Sequence, residues 1–150
     1  MRNYVLIVAI LLASQSAWGE REPNLGSVMW SAFVCSKYAE MYGNRSEYKR
    51  LFELGYHVGM KFINDIKNKK IPDSEAERTP IGVLLGLSGP STDFSIGRIF
   101  ESSANSAFDE IVKEDSRGLP IYNPTQWADD KLRIIRAKNK FNTSNCALIK

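Results

Sequence analysis

Between residues 48 and 66 the apolar side chains recur three and four positions apart, a spacing that one backbone geometry can use and the others cannot. Tyr48, Leu51, Phe52, Gly55, Val58, Gly59, Phe62, Ile63 and Ile66 hold this rhythm for about five turns of helix. On an α-helix they gather on one face; on a strand they would scatter over both. Ser46 is the expected cap of this segment, and Lys67 to Lys70 close it with charges suited to its negative pole. Gly55 and Gly59 lie inside the apolar face. A glycine in a helix interior costs about 1 kcal/mol relative to alanine, so this pair predicts a close crossing by a neighbour's backbone.

The rest of the chain supplies partners for that face. Leu25 to Tyr42, capped by Asn24 and stopped at Gly43-Asn44, is apolar around most of its circumference, which predicts a helix running through the middle of a bundle. Thr79-Pro80 reads as a helix start ahead of Ile81 to Leu87. That stretch is wholly apolar and holds Gly82 and Gly86; periodicity alone does not separate a short helix from a buried strand here. Asp93 to Glu114 is helical by pattern, with Phe94, Gly97, Phe100, Ala104, Ala107, Phe108, Ile111 and Val112 on its broad apolar face. Asn123-Pro124-Thr125-Gln126 carries a cap, a proline at the first helical position and a glutamine near the capping-box position, and so predicts the start of the last helix. Residues from about 141 onward read as irregular. The expectation is an all-α fold: a single-domain bundle of four to five helices spanning 20–150.

Residues 1–19 have the three parts of a cleavable signal peptide. Arg2 is the charged start, Val5 to Ala13 the apolar stretch, and Ala17-Trp18-Gly19 places small residues at −3 and −1 of a cut before Glu20. The apolar run is about half the roughly twenty residues a spanning helix needs. The expected destination is the periplasm of a Gram-negative cell or otherwise the exterior, with no transmembrane segment in the mature chain. Formal charge is +3, and loss of Arg2 leaves 3 − 1 = +2. That near-neutral balance lacks the concentrated basic face of a nucleic-acid binder. Cys35 and Cys146, an even pair in an exported chain, predict one intramolecular disulfide.

Chemistry is sparse. The only histidine, His57, falls opposite the apolar stripe of its helix and is expected in solvent. Ser88 in Gly86-Leu87-Ser88-Gly89-Pro90 has proline where a nucleophile elbow wants glycine. One histidine and two distant cysteines give no zinc spacing, so no metal and no cofactor are expected. The one polar intrusion is Glu101, assigned to the apolar face of the fourth helix, with Arg98 three residues before it and Asn105 four after. An Arg98–Glu101 pair is the economical account of that cluster; a buried polar site is the functional one. Trp30 and Trp127 suit either a core or a contact with a partner. Asn44-Arg45-Ser46 and Asn142-Thr143-Ser144 are glycosylation sequons. By exclusion, the expected function is a non-enzymatic, exported protein-binding domain of inhibitor, immunity or accessory type. The alternative is a small periplasmic hydrolase using carboxylates on cell-wall glycan.

Overall fold

The computed structural model describes residues 24–150; the expected signal segment lies outside the described residues. Four long helices, α1 (Leu25–Met41), α2 (Arg45–Lys67), α5 (Thr92–Val112) and α6 (Asp130–Thr143), are joined by two short ones, α3 (Asp73–Ala76) and α4 (Ile81–Gly86). There is no strand among the described residues, and Ile81–Gly86 is helical. The all-α bundle expected from the sequence is the fold.

α1 is the axis. It packs against α2, α5 and α6, as its all-round apolar surface requires. The Asn24 side chain accepts from the Ser27 N–H at 2.7 Å and donates to the Glu75 carbonyl at 2.8 Å, so it caps α1 and ties down the α3 segment together. At the other end Gly43 takes φ +85°, the Asn44 N–H reaches the Ala39 carbonyl and the Gly43 N–H reaches Glu40. That closing geometry favours glycine because the left-handed region costs it nothing.

The glycine face of α2 meets α1, with one difference from expectation. Side chains fill the slots rather than backbone: a Cβ on Gly55 would stand 2.5 Å from the Phe33 ring, and one on Gly59 2.7 Å from the Met29 sulfur. Phe33 and Met29 are fully buried, each lodged where α2 has no side chain. The core has two centres. Met29, Phe33, Phe62, Val83, Ile96 and Ile99 form one; the other surrounds Cys35 and Cys146, which meet at disulfide distance with Cα atoms 5.6 Å apart.

Several boundaries depart from the sequence reading, each because a polar group found a better partner. Asn44, not Ser46, caps α2 by accepting from the Glu47 N–H at 3.2 Å. Thr79 does not cap α4: its buried hydroxyl lies 3.0 Å from the Glu75 carbonyl, to which it donates, and faces Asn24. Asn123-Pro124 opens only a 3-10 turn, and α6 starts seven residues later with Asp129 accepting from the Leu132 N–H. The intervening chain is drawn back to complete the end of α5, whose Val112 and Lys113 carbonyls accept from the Ala128 and Ile121 N–H groups. The C-terminal stretch is ordered: α6 continues to Thr143 and a 3-10 turn covers Cys146–Leu148. Arg50 holds that turn by donating to the Ile149 and Cys146 carbonyls while its guanidinium, bonded to Glu47, keeps the Glu47 carboxyl below the usual range.

Candidate functional site

Ala104, Ala107, Ile111 and Val112 are buried as expected, with Phe100 and Phe108 packed against the core, but the first turns of α5 present a different face. Ser95, Ile96, Ile99 and Ser103 point inward, and Phe94 and Gly97 outward. The two serines are admissible inside because each donates to a carbonyl, Ser95 to Leu87 at 3.0 Å and Ser103 to Phe100 at 2.8 Å. Glu101 consequently stands in solvent, not on the apolar face. Arg98 does not pair with it; its Nη1 reaches across to the Ser88 carbonyl at 2.6 Å and the Ser88 hydroxyl at 2.7 Å. Asn105 donates to Glu101 at 3.1 Å. Arg98, Glu101 and Asn105 are nevertheless neighbours: with Phe94, Gly97 and Ser102 they line one open notch on the outer face of α5.

An apolar ridge adjoins that notch. α4 turns Gly82 and Gly86 toward the interior, where the Trp30 ring and Ile99 occupy the space of their missing side chains. The helical period then leaves Ile81 and Leu85 facing outward, 69% and 68% exposed. The Phe94 ring, 50% exposed, rests on Gly89 just past the end of α4. Ser102, which lines the notch, sits against Gly82 on the flank of α4. The ridge is hidden in the sequence because Ile81 to Leu87 is wholly apolar, so no polar residue marks its outer side. The signal was present: two glycines four apart mark the packed side, so the residue before each lies off it.

Several of the other polar and aromatic side chains have structural partners. His57 is exposed, its ring edge-on to Tyr56. Trp30 is seated on Gly82, and the Trp127 indole N–H donates to the Ile121 carbonyl at 2.9 Å. A surface cleft of about 380 Å³ between the ends of α5 and α6 is lined by Glu110, Glu114, Asp115, Arg136 and Lys140 among others. Both Glu110 oxygens are taken there, one by the Tyr38 hydroxyl and one by the Lys140 ammonium. Arg136 donates to the Ile111 and Glu114 carbonyls, completing the negative pole of α5. The notch itself holds one carboxylate, where the glycosidase arrangement needs two. Among the described residues no group of three or more His, Cys, Asp or Glu is placed to hold a metal ion.

The Tyr38–Glu110 bond carries a pH signature. Burial first, then the hydrogen bond to Glu110 and the negative charges of Glu110 and Glu114, push the Tyr38 phenol well above its ordinary value. The unfolded chain releases this proton near pH 10 while the folded chain keeps it, so the stabilisation is complete below about pH 10 and declines as pH rises beyond it. Urea midpoints measured between about pH 9 and pH 11 should fall, and Tyr38→Phe should flatten that decline. An equal decline in Tyr38→Phe would place its origin elsewhere.

Comparison with protein-family models, with curated proteins and with solved structures gives no match to this chain.

Proposed function

We propose that this is an exported, non-enzymatic domain that docks a protein partner, of inhibitor, immunity or accessory type, through the α4 ridge. The observation that carries the reading is the pair Ile81 and Leu85, one turn apart on α4 and two-thirds exposed. Large apolar side chains left exposed one turn apart on a packed helix are the kind of surface that marks a contact with a partner. Covering a leucine or isoleucine completely is worth about 1.5–3 kcal/mol, so two such residues are enough for an energetic centre. Support for export comes from the three-part start of the sequence and from the buried Cys35–Cys146 pair, which suits an oxidising compartment. Among the described residues no helix is long and apolar enough to cross a membrane.

The test is a photo-crosslinking residue placed at Leu85 and, as control, at exposed His57 on α2. In the native host, Leu85 should yield a discrete adduct with a different protein and His57 should not. Ile81→Asp added to the Leu85 probe should abolish the adduct without lowering the melting temperature. No adduct at Leu85, or an adduct made only of this chain, would overturn the reading; so would release of soluble glycan from purified cell wall by the protein.

A further inference from the structure

The outer face of α5 has features that nothing within one chain explains. At each of the other five glycines in the described helices, a neighbouring side chain lies within 3.0 Å of where a Cβ would stand; at Gly97 nothing lies within 4 Å. A glycine there forgoes helix propensity and receives no packing in return. Arg98 and Glu101, three residues apart, bond to Ser88 and Asn105 and not to each other; Arg98 uses Nη1 on Ser88, leaving Nε and Nη2 for another acceptor. Phe94, Arg98, Glu101 and Asn105 are spaced four, three and four, the seam spacing of a helix that pairs with another helix.

We propose that this face pairs with the same face of a second copy of this chain, antiparallel about a two-fold axis. The residues lining the notch are self-complementary under that operation. Seam positions that sum to 199 share a level, which sets Arg98 opposite Glu101 of the second copy and Phe94 opposite its Asn105, with the two Gly97 residues along one edge of the seam and the two Ser102 residues along the other. The two-fold repeats each pair, so two opposite-charge contacts form at the centre. The small residues beside them, glycine along one edge and serine along the other, let the two backbones approach. A charged centre costs desolvation but fixes register, since sliding by one turn sets like charges or unpaired charges together. A single short helix pair falls below the roughly 1,000 Å² of a stable interface, so the dimer is reversible. This inference stands apart from the docking reading, because its partner is the chain itself and its test uses purified protein alone.

Sedimentation equilibrium of the purified protein should give a mass rising from one chain toward two as concentration increases over roughly 10–300 μM. Arg98→Glu and Glu101→Arg singly each place like charges at both central contacts and should weaken association at least ~10-fold. The double variant Arg98→Glu/Glu101→Arg restores opposite charges and should return to within about 3-fold of the starting constant. Gly97→Leu should also weaken association, while its thermal melt stays level or rises because the side chain enters open space. A single chain at every concentration would overturn the proposal. So would single charge variants that associate normally, a double variant without recovery, or a Gly97→Leu dimer as strong as the original.

Discussion

Gly55→Leu is expected to lower the unfolding free energy by about 3 kcal/mol or more, although leucine is the better helix former by nearly 1 kcal/mol. The reason is the rigidity of what fills the slot. The Phe33 ring lies 2.5 Å from the site of the new Cβ, and it is held edge-on by Phe100 with ring centres 5.3 Å apart and flanked by Phe52 at 6.0 Å. Three aromatic rings cannot shift together without opening the first core. Gly59→Leu meets a softer wall. Its nearest neighbour is the Met29 thioether, which has rotatable bonds to spare, with Ile96 next at 3.3 Å. A cost in the range of about 1–3 kcal/mol is expected there. His57→Ala, two residues away on the exposed side, should stay within about 0.5 kcal/mol. Urea denaturation of the three variants checks the order. A neutral Gly55→Leu would mean that α1 and α2 do not cross there.

Removal of the disulfide is the other large effect. The bond joins residues 111 apart, and closing a loop of that size restricts the unfolded chain by about 4–5 kcal/mol in the chain-entropy account. Paired replacement of Cys35 and Cys146 by alanine should therefore cost several kcal/mol. The loss should appear mainly as easier unfolding of a chain that still has its helices, because both cysteines sit among Tyr38, Leu51, Ile111 and Phe141. Both sulfurs are inaccessible in the folded state, so a thiol reductant alone should act slowly and denaturant should accelerate it. Rapid reduction of the folded protein, or an unchanged midpoint in the double variant, would contradict this.

How legible these features are in the sequence depends on whether a residue's partner is local. The Asn24 cap, the Gly43 stop and the amphipathic face of α2 are settled within one or two turns, and all are present as expected. The side of α5 that faces inward is not local. The hydroxyls of Ser95 and Ser103 find carbonyls close by, so both serines enter the core together with Ile96 and Ile99. With that face inward in the first turns, Glu101 stands in solvent and Arg98 bonds to Ser88 in place of Glu101. Asn123-Pro124 carries the marks of a helix start, but the ends of α5 compete for the same stretch of chain, and the carbonyls of Val112 and Lys113 win. The grouping of Arg98, Glu101 and Asn105 survives all this because i, i+3 and i+7 share a helix face whichever way that face points.

The placement of the two cysteines also has a meaning in time. A ribosome adding about 5–20 residues per second takes on the order of 6–20 s to make the 111 residues from Cys35 to Cys146. During that interval the Cys35 thiol has no partner in its own chain, and α2, α4 and α5 are all made before one exists. Closure of the bond is thus the last covalent event of folding rather than a guide to it. With two cysteines in all, a chain has one internal pairing and no internal mispairing. Every error in oxidation must join two molecules, and is therefore governed by how crowded the newly made chains are.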